Sequence, residues 1–388
     1  MRASLRLLFL LCTVVPVAVS AAPPPQAGSI QAVFDAIDDN VARAVEADGR
    51  ASVSLGLVVA NRLAHRSAFG TADDAANTPA TTGHVYRIGS VTKQFTALAV
   101  LKLASEDKLR LSEAVSNYVP EIKAIEGYAA LSTPITIRQL ATMTSGLARE
   151  PEELPKYLIG PADGWFSVVQ EAIPMVSVEF EPDSRYQYSN IGYAILGRVV
   201  EKASERDYMD YVRQEFLVPL EMVDSDFVPH PRFEDRIATG YVVTDEGADS
   251  EQPTREHSGR GYKVPNGAMY STSADLASFL RFQMGGGPET ILEPSVLADN
   301  LGRVNSADSS LSHGYGIGFQ VRRRGELVIF GHGGSVAGYR AGAYFEPQRQ
   351  LGVVLLRNAT GSSIDVTELA FEVMELLVEG FDQSGKSP

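Results

Sequence analysis

The run Tyr86–Leu103, YRIGSVTKQFTALAVLKL, constrains the fold more than any other stretch, because it couples a serine and a lysine to a helix that has to be buried. After Lys93, residues Phe95 and Ala97–Leu101 are apolar almost all the way round a helical wheel, the pattern of a helix inside a large domain. Ser90 stands at the start of that helix, and capping its first turn is one reading. A capping box would place Glu or Gln three residues on, where this chain has Lys93. A cation in the first turn opposes the helix dipole by about 0.3–1 kcal/mol even when exposed, and burial adds to that. Ser90 and Lys93 are i and i+3, so they share one helical face. Desolvation and the positive helix end lower the lysine pKa, and a neutral amine can take the serine proton and make Oγ a nucleophile.

The 388 residues, 44% apolar, suit one large globular domain or two intimate ones. A net charge of −14 and a pI near 5.0 argue against a nucleic-acid footprint. Residues 1–21 carry Arg2 and Arg6, an apolar run and small residues at Val19-Ser20-Ala21, the form of a cleaved secretory signal, so the mature chain is expected to start near Ala22. The run is short and broken by Pro16, which disfavours a lasting membrane anchor. Leu10 and Leu11 before Cys12 disfavour lipidation. Cys12 is the only cysteine and would leave with the signal, so no disulfide is expected. Periplasm or medium is the expected destination.

Pro23-Pro24-Pro25 reads as a spacer, and helical spacing of Ile30, Val33, Phe34, Ile37, Val41 and Val45 predicts a helix from about Ser29 to Glu46. Ala51–Ala60 and Ala64–Gly70 predict a hairpin about Asn61-Arg62. The segment 109–122 reads as a loop. Thr136 and Gln139 form a capping box for a helix to about Thr144. Four prolines and Trp165 mark 148–174 as a covering loop with a short helix. Tyr188 and Asn190 fall just before or at the start of another apolar helix, 208–220 continues helical, and 239–263 is polar hairpin or loop. Capping boxes at Thr272–Asp275 and Ser362–Asp365 introduce helices to Met284 and about Val378. Strands are predicted near Tyr315–Arg323, Glu326–Phe330, Ala341–Phe345 and Leu351–Arg357.

Strands at both ends with helices between them predict an α+β (α/β sandwich) fold. One antiparallel sheet forms from the N- and C-terminal segments, about 29–86 and 265–380, flanked by helices. A mostly helical part, about 105–262, is inserted between them. There is no internal repeat.

Three separated elements carry the chemistry: Ser90-Val-Thr-Lys93, Tyr188-Ser-Asn190 and His332-Gly-Gly334. With the blocks RIGSVTKQFTA, ITIRQLATMTSGL, YSNIGYAILGRVVEKAS, NGAMYSTSADLASFL and GHGG in that order, nearly the whole mature chain resembles the serine β-lactamase and penicillin-binding protein superfamily. The resemblance is to the branch holding class C β-lactamases, D-Ala-D-Ala carboxypeptidases and related esterases. It implies the β-lactamase/transpeptidase-like fold, with Ser90 as acylated nucleophile and Lys93 assisting its deprotonation. Tyr188 would be the general base of acylation and acid toward the leaving group, its phenolate favoured by Lys93. Asn190 would donate to the substrate amide or orient Lys93, and Gly333 and Gly334 would let substrate lie along the strand edge. The backbone N–H groups of Ser90 and Ser335 would form an oxyanion hole, and His332 would take part in substrate binding. The structural alternatives are a core tyrosine for Tyr188, a helix cap for Asn190 and a strand histidine for His332.

His332 stands where many relatives carry lysine, and a neutral imidazole holds a substrate carboxylate less well than an ammonium. That tilts the expectation toward peptidase or esterase activity and away from an efficient β-lactamase, unless Arg322, Arg323, Arg324 or Arg340 compensates. Met143 replaces a frequent histidine in TMTSGL without touching the nucleophile. The remaining histidines show no metal-ligand spacing and there is no phosphate loop, so neither metal nor cofactor is implied. The expected partner is a cell-wall peptide, ester or β-lactam, with no nucleic acid. The different-class alternative is a catalytically silent homologue binding cell-wall peptides or a protein partner, which predicts a damaged constellation.

Overall fold

Ser52–Val59 and Leu351–Arg357 are apolar at most positions and buried along their whole length, as strands covered on both faces must be. They pair antiparallel from Val53 opposite Arg357 to Val58 opposite Gly352, which joins the two ends of the chain at the middle of a nine-stranded sheet. The computed structural model describes residues 27–306 and 312–384; the predicted signal and spacer, with Cys12, lie outside them.

On one side of this central pair run Arg62–Asp73 and Thr78–Pro79. On the other run Tyr339–Glu346, Leu327–Val336, Gln320–Arg324, His313–Tyr315 and Asn305–Ser306. Helices Ala27–Asp48 and Val366–Ser384 cover one face through Ile37, Val41, Val373 and Leu377. Ser273–Gln283 covers the other, with Thr92–Ser105 behind it, where Phe95 and Phe279 stack at 4.0 Å. The expected α+β sandwich, with an antiparallel sheet drawn from both ends of the chain, is therefore what forms. No helix among the described residues is long and apolar enough to cross a membrane.

Local departures have physical causes. The reciprocal capping box at Thr136 and Gln139 is present, but its helix stops at Ala141 because Met143 takes a left-handed backbone, φ 60°. Thr272 caps the next predicted helix, yet Asp275 does not complete a box: its carboxylate accepts from Asp224 N–H and Ser225 O–H, each at 2.9 or 2.8 Å. At 362–365 the cap is Asp365 rather than Ser362, since Asp365 accepts from the N–H groups of Thr367 and Glu368. The strand expected at 315–323 is two short strands, His313–Tyr315 and Gln320–Arg324. The strand after them is longer than expected and runs from Leu327 to Val336, through the whole His332–Ser335 segment. The hairpin or loop expected at 239–263 includes a hairpin, Tyr241–Thr244 with Gly247–Asp249, whose first strand also pairs with Ala359–Thr360.

Candidate active site

Ser90 occupies a single 3-10 turn, Gly89–Val91, ahead of the helix Thr92–Ser105, and makes no capping hydrogen bond. The capping reading is thereby removed. The turn is held against the Leu327–Val336 strand, whose second edge has no sheet partner beyond Gly331 among the described residues. Gly89 has φ +50°, and a Cβ there would stand 2.7 Å from the Ser335 nitrogen; a Cβ on Gly334 would stand 2.0 Å from the Ile88 carbonyl oxygen and 3.3 Å from the Ser90 nitrogen. Both glycines are what let turn and strand touch. The backbone nitrogens of Ser90 and Ser335 are thus brought to one place at the cleft. Gly333 likewise faces the protein, a Cβ there lying 2.9 Å from the Tyr344 hydroxyl. The protein's own packing thus calls for glycine at 333 and 334, independently of any substrate along the strand edge.

Lys93 is fully buried, whereas Ser90 is partly open to the cleft. Its Nζ lies 3.1 Å from Ser90 Oγ, 2.7 Å from Asn190 Oδ1 and 2.8 Å from the Asn266 carbonyl oxygen. Burial, followed by the nearby Lys263 charge, holds its pKa well below the ordinary lysine value, with Glu150 opposing. A neutral amine has two N–H groups and one lone pair. With Asn190 and Asn266 taking the N–H groups, the lone pair falls to the Ser90 hydroxyl.

Tyr188 precedes the helix Asn190–Ser204, which Ser189 caps by accepting from Gly192 N–H. Asn190 is consequently the first helical residue and not the cap. Its Oδ1 accepts from Lys93 and one Nδ2 hydrogen goes to Glu150 Oε1 at 2.5 Å, an arrangement that orients Lys93 and leaves the second Nδ2 hydrogen for the cleft. The Tyr188 ring has Lys93 Nζ 4.9 Å and the Arg149 guanidinium carbon 4.9 Å from its centroid. Burial pushes the Tyr188 phenol far above its ordinary range, against a lowering by the Ser90 hydroxyl. Burial thus pushes the Tyr188 phenol up and the Lys93 amine down, the opposite of the direction the expected phenolate needs.

His332 is buried, with Nε2 3.1 Å from the Tyr315 hydroxyl and Nδ1 2.6 Å from the Gly333 carbonyl oxygen. A carbonyl only accepts, so those partners assign Nδ1–H, with Nε2 accepting from Tyr315. Burial, and then Lys93, lowers its pKa to about 3. The imidazole is neutral and both nitrogens are occupied.

Ser90, Tyr188, Asn190, His332, Gly333, Gly334 and Ser335 all meet at one cleft of about 590 Å³, with Lys93 buried beneath Ser90. Among the four candidate arginines, Arg322 and Arg340 line it and Arg323 and Arg324 do not. Arg323 donates to the Gly325 carbonyl, and Arg324 pairs with Glu368. The cleft is also lined by Arg149, Glu150 and Lys263, which sequence reasoning did not single out. The Asn266 carbonyl is a backbone group that any residue type could supply, so no signal marked it. No group of His, Cys, Asp and Glu side chains among the described residues is arranged to hold a metal.

A serine beside a buried amine, with two backbone amides at the same cleft, sits on a helix-flanked antiparallel sheet of the β-lactamase/transpeptidase-like class. The chain belongs to the Beta-lactamase family, whose model matches residues 37–376. It is 28% identical over 323 residues to Beta-lactamase-like protein 2 of Dictyostelium discoideum, covering 80% of this chain and 57% of that one. The chain spans little more than half the length of the curated relatives it matches. The same fold occurs in D-amino acid amidase from Ochrobactrum anthropi, with a TM-score of 0.71, 24% identity and coverage of 92% of this chain and 98% of that. It occurs also in EstCE1, described as a hydrolase with promiscuous acyltransferase activity, with a TM-score of 0.75, 20% identity and coverage of 91% and 100%.

Proposed function

We propose that this chain is an exported serine acyl-hydrolase that works through an acyl-enzyme on Ser90, cleaving peptide or ester substrates in preference to β-lactams. The observation that carries the reading is the Lys93 amine 3.1 Å from Ser90 Oγ in a fully buried position, with its N–H groups committed elsewhere. Lys93 takes the Ser90 proton as Oγ attacks the acyl carbon, and the oxyanion faces the Ser90 and Ser335 N–H groups. Tyr188, protonated, donates to the departing amine or alkoxide and is reprotonated from Lys93. Water then enters and releases the acid, restoring Ser90. The preference for peptide or ester rests on His332, neutral and already bonded at both nitrogens, so that a substrate carboxylate has no cation on that strand segment and would have to be met by Arg322 or Arg340 in the cleft. An intact constellation also weighs against a silent homologue.

The test is intact-protein mass spectrometry after brief mixing with benzylpenicillin, beside a Ser90→Ala control and a short-chain nitrophenyl ester assay. Rapid Ser90-dependent ester cleavage without penicillin loss is expected. Fast penicillin turnover would replace this reading by a β-lactamase, and a protein inert to both probes would revive the silent one.

A further inference from the structure

Glu150 lies beyond the Asn190 amide from Lys93 and is held there by two consecutive residues, Tyr262 and Lys263. Lys263 Nζ donates to both Glu150 oxygens at 2.9 and 3.1 Å, and Tyr262 donates its hydroxyl to Oε2. The remaining reach of Oε1 goes to Asn190 Nδ2 at 2.5 Å. Lys263 is nearly buried, and the Glu150 side chain is 22% exposed, so the pair sits at the floor of the cleft rather than on its rim.

An ionised carboxylate can only accept hydrogen bonds, whereas a carboxamide donates at one end and accepts at the other. The Glu150 carboxylate therefore permits one orientation of Asn190, Nδ2 toward Glu150 and Oδ1 toward Lys93. That orientation presents an acceptor to Lys93, which must spend an N–H on it. Reversing the amide would present N–H to Lys93 and draw its lone pair away from Ser90.

We propose that Glu150 and Lys263 are a positioning pair for the nucleophile: the carboxylate fixes the Asn190 amide so that the Lys93 lone pair faces Ser90, and the Lys263 ammonium keeps that carboxylate ionised. This rests on Ser90 being the acylated residue. Burial pushes the Glu150 carboxyl up, and Lys263 first, then Tyr262 and Asn190, bring it below its ordinary value. Lys263 also lowers the Lys93 pKa through its charge. Burial lowers the pKa of Lys263 itself to about 8 against the pull of Glu150, so its charge is present across the acid limb. The other charged groups against the pair are Arg149 and Arg260, and the titratable neighbours of Lys93 are Tyr188, Tyr193 and His332.

Loss of the Lys263 charge acts in one direction on both members. Glu150 takes up its proton at higher pH and can then donate to Asn190, while Lys93, relieved of a like charge and left beside a carboxylate, also holds its proton longer. The test is the pH dependence of the single-turnover burst with p-nitrophenyl acetate, with Ser90 acylation followed by mass and folding followed by thermal melting. Lys263→Gln is expected to move the acid limb up by about one pH unit, the size a neighbouring charge commonly produces, and Lys263→Arg to return it. Glu150→Gln, nearly the same shape but free to offer either end of its amide, is expected to slow acylation about 10–10²-fold. A fall in rate that is equal at every pH in Lys263→Gln overturns the proposal. If Lys263→Gln does not fold, Glu150→Gln decides alone, and a parental burst rate overturns it. A parent labelled at Ser90 with an unmoved limb removes only this pair, whereas a parent that never labels at Ser90 removes the acyl-enzyme reading and the pair with it.

Discussion

Lys93 Nζ lies 3.1 Å from Ser90 Oγ, and its two shorter contacts, to Asn190 Oδ1 and the Asn266 carbonyl oxygen, account for both N–H groups of a neutral amine. The serine hydroxyl is left opposite a lone pair inside the protein, where a charged lysine would be poorly solvated. This relationship is what supports the proposal that Lys93 is the base of acylation.

Ser90→Ala removes the nucleophile and little else, since Ser90 caps no helix and its backbone N–H is retained. Covalent labelling by acylating inhibitors should vanish while the melting temperature stays within a few degrees of the parent. Labelling that persists, located on another residue by peptide mapping, would sink the assignment.

The pH dependence follows from the direction of each shift. Lys93 loses its proton well below the ordinary lysine value, so acylation should rise with pH through that depressed pKa and then level off. His332, at about 3, is neutral across the working range and adds no limb between pH 5 and 8. Tyr188, raised by burial, stays protonated on the plateau. Burst rates measured from pH 5 to pH 10 check this, and a rate still climbing steeply near pH 10 contradicts a neutral resting Lys93.

For Tyr188→Phe the ring contacts with Lys93 and Arg149 remain and only the hydroxyl goes. Acylation by amides, whose leaving group needs a proton, should slow by about 10²–10⁴-fold. Activated esters, with good leaving groups, should lose much less. Equal losses for the two substrate types would shift Tyr188 from proton donor to a packing role.

These contrasts show which parts of the site are written locally. Ser90 with Lys93 is legible because i and i+3 share one helical face, whereas Tyr188 with Asn190 is legible through the family resemblance of YSNIGYAILGRVVEKAS, since i and i+2 do not face each other. The sheet was legible from short apolar, β-branched runs at both ends of the chain. Glu150 and Lys263 were not, for they are 113 residues apart and neither sits in a patterned segment. Capping motifs mislead when tertiary partners compete: Asp275 goes to Asp224 and Ser225, and Asp365 caps its own helix. Nor does a methionine announce a left-handed backbone, which is why the Ile137–Ala141 helix ends earlier than its pattern.

Gly334→Ala tests the contact between turn and strand rather than any side-chain chemistry. The added Cβ would stand 2.0 Å from the Ile88 carbonyl oxygen, a backbone atom that cannot rotate aside, so turn and strand must separate. Overpacking of this kind costs roughly 1–3 kcal/mol of stability. The separation also parts the Ser90 and Ser335 N–H groups, and loss of one oxyanion donor is worth about 10²–10³ in kcat. Gly334→Ala should accordingly stay folded, as judged by circular dichroism and a modestly lowered melting temperature, yet acylate at least 10²-fold more slowly at the plateau pH. Because Lys93 is untouched, the acid limb should not move. A variant that melts earlier but acylates at the parental rate would show that the turn and strand amides do not act on the oxyanion.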